Sequence, residues 1–119
     1  MNICFIVPPK NKADRTAERL YGGTLTDYRE TPLALLYVAA ILEEEGHKVT
    51  LKDFTDNNSQ SEFREYIEGA RHGLYIIHTA LLAERIDTTA IKDILTLTET
   101  NIILFGPHPT LKPKDFLID

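Results

Sequence analysis

The residues able to do chemistry are few and scattered along the chain. Its four histidines, His47, His72, His78 and His108, share no metal-ligand spacing. The single cysteine, Cys4, excludes a disulfide within the chain and a Cys-based zinc or iron–sulfur site, which needs three or four thiolates. Cys4 also lies inside the apolar run Ile3 to Val7, where a thiol is inert core. His78, ending a second apolar run, reads as a hydrogen-bonded core histidine. His47 follows Gly46 and suits a helix C-terminus, where the dipole favours positive charge. Glu43-Glu44-Glu45 reads as a solvated face. Neither GxGxxG nor GxxxxGK[ST] occurs, and Gly22-Gly23 alone is a weak phosphate signal. No nucleophile–base pairing stands out.

Three loops hold the remaining candidates. The stretch from Pro8 to about Glu30 is too long for a plain strand-to-helix connection and carries Arg15, Arg19, Tyr21, Gly22, Gly23 and Tyr28. It fits a ligand-binding loop or a plain surface loop, with Ala13 to Leu20 as a short helix. His78-Thr79-Ala80-Leu81 and Gly106-Pro107-His108-Pro109-Thr110 each follow an apolar run. A glycine at a strand end lets a ligand approach the backbone, and flanking prolines stiffen the turn. The same residues also fit a tight turn before a terminal segment.

The elements that must position these loops alternate. Ile3 to Val7, Leu74 to Ile77 and Ile102 to Phe105 are short continuous apolar runs, the pattern of strands covered on both faces. His47 to Phe54 alternates instead, with Val49 and Leu51 apolar between Lys48, Thr50 and Lys52, as an edge strand does. Thr31-Pro32 and Gly46 bracket a helix over Pro32 to Glu45. Ser59 and Glu62 have capping-box spacing and open a second helix bearing Phe63, Tyr66 and Ile67. A third, about Ala83 to Leu97, aligns Ile86, Ala90, Ile91, Ile94 and Leu95. This alternation predicts an open α/β parallel sheet, Rossmann-like or flavodoxin-like, with strand order 2-1-3-4.

Ligands of such sheets bind beyond the carboxyl ends of the strands, at the switch point between strands one and three. A phosphoacceptor receiver needs acids there, but Pro8-Pro9-Lys10 and His78-Thr79 supply none. Such sheets usually close with a fifth strand and a helix, and only about fourteen residues follow Phe105. The chain therefore reads as one domain, residues 1–119, forming the N-terminal part of a longer protein. In the first helix, Leu33, Leu36, Tyr37, Ala40 and Ile41 make the stripe expected toward the sheet. Leu35, Val38, Ala39 and Leu42 fill much of the remaining circumference. A helix apolar nearly all round is buried nearly all round, by a thick core, a dimer partner or another domain.

Composition sets the outer limits. The 119 residues carry 18 Asp plus Glu against 13 Lys plus Arg, a formal charge of −5. Diffuse acidity opposes nucleic-acid binding, which wants a basic footprint. The 43% hydrophobic and 26% charged fractions are those of a globular domain. Leu33 to Leu42 is about half of a membrane span, and no signal peptide is evident. One cysteine suits a reducing cytoplasm.

Three segments resemble a known family. Thr31 to Ala40 (Thr-Pro-Leu-Ala-Leu-Leu-Tyr-Val-Ala-Ala), followed by Glu45-Gly46-His47-Lys48-Val49, is similar to the "PPLGLLYLAAxLxxxGHxV" segment of cobalamin-binding domains that precede the catalytic domain of many radical S-adenosylmethionine enzymes. Phe105-Gly106-Pro107-His108-Pro109-Thr110 resembles that family's "GGPHxT", and Pro8-Pro9 its "NPP". Annotations of the magnesium-protoporphyrin monomethyl ester oxidative cyclase type are common there. The resemblance implies a cobalamin-binding domain, with Pro9, Thr79, Leu81, Gly106, Pro107 and His108 as cofactor-binding residues. It also implies cobalamin without a lower histidine ligand, since no histidine lies between Pro8 and Glu30. S-adenosylmethionine and a [4Fe-4S] cluster would belong to a downstream domain. This chain, with one cysteine, would do no radical chemistry itself. Phe105 departs from the family by replacing the first glycine. The expected partners are cobalamin and a downstream catalytic domain or dimer partner against helix 32–45, and the alternative is a cofactor-free docking module of the same fold.

Overall fold

The computed structural model describes residues 1–9, 16–17, 25–26, 33–54, 60–79 and 84–117. The four apolar or alternating segments are strands of one parallel sheet: β1 (Asn2–Val7), β4 (Lys48–Asp53), β5 (Leu74–His78) and β6 (Asn101–Phe105). A separate two-residue ribbon, β2 (Thr16–Ala17) with β3 (Leu25–Thr26), is antiparallel. The sheet order is β4-β1-β5-β6, the expected 2-1-3-4 when its four strands are counted alone. Asn2 to Val7 pair in step with Lys48 to Asp53 on one side, and Ile3 to Phe5 with Leu74 to Ile76 on the other.

Alternation along the strands divides the core in two. Ile3, Phe5, Val7 and Ile76 face α1 (Leu33–Glu44), while Cys4, Ile6, Tyr75 and Ile77 face α2 (Gln60–Gly69) and α3 (Glu84–Leu97). From the helices come Leu35 on the first side and Phe63, Ile67, Ala90, Ile91 and Ile94 on the second. Arg64 and Asp93 form an ion pair that ties α2 to α3. Thr88, Thr89, Thr96 and Thr98 donate to carbonyls one turn back, which is how α3 and its end accommodate hydroxyl side chains.

Two expectations are corrected. The stripe of α1 is inverted: Leu35, Val38, Ala39 and Leu42 pack on the sheet, whereas Leu33, Leu36, Tyr37, Ala40 and Ile41 are exposed. Both sets recur at i, i+3, i+4 and i+7, so spacing alone does not choose between them. Leu35, Val38, Ala39 and Leu42 go inward, and the bulk of Tyr37 and Ile41 stays outside. Among the described residues the helix is thus not buried nearly all round. Second, Thr16–Ala17 is extended and paired, not part of a helix over Ala13 to Leu20. β-Branched Thr16 and Thr26 sit opposite each other, and Gly22-Gly23 falls between the two strands in sequence.

The end of α1 follows the expectation for Gly46, which has φ 92°. Its N–H donates to the Glu43 carbonyl at 3.0 Å and that of His47 to Leu42 at 3.1 Å, the paired bonds of a Schellman turn. The chain is then aimed straight into β4. The N-caps expected at Thr31 and Ser59 lie outside the described residues.

Candidate functional site

With β4 and β5 on opposite sides of β1, the switch point falls between β1 and β5, and the residues after β1, β5 and β6 form the carboxyl edge. Pro9 follows β1 and is buried; its carbonyl accepts a bond from Gln60 Nε2 at 3.4 Å. Thr79 follows β5 and is wholly buried. Its backbone N–H donates to the Phe105 carbonyl at 3.0 Å. Its hydroxyl has no hydrogen-bond partner among the described residues. A buried hydroxyl without a partner costs roughly 1–3 kcal/mol.

Gly106 follows β6 with φ 128°, a conformation that side chains rarely adopt. A Cβ there would stand 2.4 Å from the Thr79 carbonyl oxygen and 3.0 Å from the His78 ring. The glycine therefore serves the approach of two strand ends to each other. His78 is a buried core residue, as expected, and its ring stacks on Phe105 with centroids 4.7 Å apart and planes 16° from parallel. Phe105 thus occupies the strand end beside Gly106 with an aromatic pair. Pro107 opens a short helix, α4 (Pro107–Leu111), and is itself exposed. Thr110 caps back on the Gly106 carbonyl at 2.7 Å.

His108 turns inward. It is buried, its Nε2 lies 2.8 Å from Asp115 Oδ2, and its ring meets Phe116 edge-on at 4.9 Å. Thus Thr79 and Gly106 are brought together, His108 is directed toward the turn Pro113–Asp115, and Leu81 lies outside the described residues. Asp115 escaped sequence reasoning. It reaches His108 only because α4 ends and a tight turn reverses the chain, which no residue spacing announces.

A second polar cluster was also not foreseen. Asn2 Nδ2 donates to the Arg71 carbonyl, leaving its Oδ1 to accept from His72 Nδ1 at 3.0 Å. His72 Nε2 then accepts from the Tyr66 hydroxyl at 2.8 Å, and Cys4 Sγ lies 3.9 Å from that oxygen. Burial raises the Cys4 thiol to about 11, against the opposing pull of Tyr66 and Lys52. Such a thiol is protonated and unreactive, as its place in β1 implies. Burial raises Tyr66, and it lowers His72 with help from nearby Lys48. The cluster joins β1, α2 and the start of β5 as a structural clasp.

An apolar groove of about 420 Å³ runs between α3, β6 and the C-terminal segment, lined by Leu95, Ile102, Leu104, Phe116 and Leu117 among others. It lies on the flank of the sheet, away from the switch point. No helix among the described residues is long and apolar enough to cross a membrane. No family model, curated protein or solved structure matches the chain.

Proposed function

We propose that this chain is a cobalamin-binding domain that holds the cofactor at the carboxyl edge of its sheet for a radical S-adenosylmethionine catalytic domain downstream. The observation that carries this reading is the Thr79 hydroxyl. It is buried at the end of β5 with no partner among the described residues, at a position that the family resemblance implies is cofactor-binding. An acceptor on the ligand would recover what that hydroxyl loses on burial. Pro9, Thr79, Leu81, Gly106, Pro107 and His108 are the binding residues of the proposal. Thr79 would donate to the ligand, Gly106 would keep the neighbouring strand ends close, and His108 would anchor α4 through Asp115. Cobalamin, when bound, supplies organometallic chemistry at cobalt, and the chain supplies position and environment.

The test is a titration with hydroxocobalamin, followed by gel filtration and visible absorption of the protein peak. Co-migration with a base-off spectrum is expected. Thr79→Val keeps the shape and removes the donor, and should weaken binding about 5- to 10-fold, the equivalent of one hydrogen bond near 1 kcal/mol.

A second reading, a cofactor-free docking module, draws on two observations. Phe105 and His78 stack at the strand ends, and α1 turns Leu33, Leu36, Tyr37 and Ile41 to solvent. The partner would be the downstream domain or a second copy against helix 32–45. Failure of cobalamin to co-migrate, both with this chain and with the parent protein, would favour it. Ile41→Glu should then abolish association while leaving the thermal midpoint nearly unchanged.

A further inference from the structure

Three separate elements aim ligand atoms at one point beside α4. Glu84 begins α3, His108 lies on α4, and Asp115 ends the turn Pro113–Asp115. His108 Nε2 is 2.8 Å from Asp115 Oδ2 and 3.8 Å from Glu84 Oε2, and the three atoms lie within 4.8 Å of one another. The imidazole is only 6% exposed and is braced by Phe116, whereas the carboxylate side chains are 40% and 37% exposed.

One ring nitrogen thus faces two carboxylates. A neutral imidazole has a single proton to offer there and satisfies only one of them. A divalent cation would balance both charges while taking the nitrogen lone pair. The tautomer this requires carries its proton on Nδ1, which has no hydrogen-bond partner among the described residues, so no existing bond on that side is broken. We propose that Glu84, His108 and Asp115 bind one divalent transition-metal ion, Zn²⁺ being the best match.

One imidazole nitrogen with two carboxylate oxygens is a donor set that zinc accepts, with bonds of about 2.0–2.2 Å. Magnesium and calcium prefer oxygen alone. The buried nitrogen supplies a fixed point, and the exposed carboxylates can adjust around it: Asp115 moves outward from 2.8 Å and Glu84 inward from 3.8 Å, toward the roughly 3.3 Å between two donors on one tetrahedral ion. Their exposure leaves the remaining coordination open to water. The site shares His108 and Asp115 with the cobalamin reading, but the metal probe needs no cofactor, so failure of one proposal is distinguishable from failure of the other.

The experiment uses the full chain, stripped with EDTA and titrated calorimetrically with Zn²⁺. Co²⁺ substitution, followed by visible absorption, reports a nitrogen and oxygen ligand set. One equivalent of Zn²⁺ should bind, Mg²⁺ should give no saturable heat, and Zn²⁺ should raise the thermal midpoint. Glu84→Gln and Asp115→Asn should each weaken Zn²⁺ at least tenfold. Both side chains lie outside the core, so these variants should fold even where His108→Ala does not. Absence of saturable Zn²⁺ binding would overturn the proposal. So would unchanged affinity in the Glu84→Gln/Asp115→Asn double variant, which would place the ion elsewhere.

Discussion

Gly106 and Thr79 show how tightly single residues are constrained at the carboxyl edge. With φ 128° and the Thr79 oxygen 2.4 Å from any added Cβ, Gly106→Ala should cost about 3 kcal/mol or more, measured by urea unfolding. Thr79→Val should act in the opposite direction. It removes a buried donor that has no partner among the described residues, so the free protein should gain up to about 1 kcal/mol in the same assay while cobalamin affinity falls. His72 makes stability depend on pH. Its folded-state pKa is lowered, chiefly by burial, so the unfolded chain takes up that proton first as pH falls. Stability from this group is therefore complete above the ordinary histidine value near 6.5 and is lost progressively below it. Protonation also removes the acceptor for Tyr66. Urea midpoints from pH 8 to pH 5 should decline for the native chain, and more shallowly for His72→Gln.

Among the elements, α1 departs most from its expected orientation. Its twelve residues, Leu33 to Glu44, are apolar except for the two glutamates at the end. With no polar face, the pattern names a helix without saying which side lies on the sheet. The structure buries Leu35 completely and leaves Tyr37 73% exposed. Leu35→Ala should thus cost about 2–4 kcal/mol, and Tyr37→Ala under about 1 kcal/mol. Thermal or urea unfolding of the two variants separates the orientations, since the opposite stripe would reverse the ranking. α2 and α3 behave otherwise: charged residues interrupt their apolar positions, and Phe63, Ile67, Ala90, Ile91 and Ile94 all face the core as expected. Leu95, assigned to the same stripe, is about half exposed and lines the flank groove.

At the scale of the whole molecule, the sheet is covered unevenly. α1 lies over one face of β4, β1 and β5, while α2 and α3 cover the other. Ile103 on β6 is about half exposed, and Leu51 on β4 is partly so, as befits strands at the two edges. Amide exchange should follow this layering. Protection should be greatest in β1 and β5, which are paired on both sides, and lower in β4 and β6. Hydrogen-exchange mass spectrometry of the free chain would read that gradient directly.

Sequence alone determined the alternation of strands and helices, the edge position of β4, the helix end at Gly46 and the inert burial of Cys4. Each depends on a local rule: an apolar run of strand length, a period of two, a left-handed glycine, a thiol inside an apolar strand. It also marked Thr79 and Gly106 as strand-end residues. Only the tertiary structure decided that these two touch, that α1 packs by Leu35, Val38, Ala39 and Leu42, and that His108 turns to Asp115 and Glu84. Those facts depend on how close separate elements approach one another. Residues 24 positions apart, such as Glu84 and His108, meet because strand β6 carries the chain back past the start of α3, a distance that local propensity does not encode.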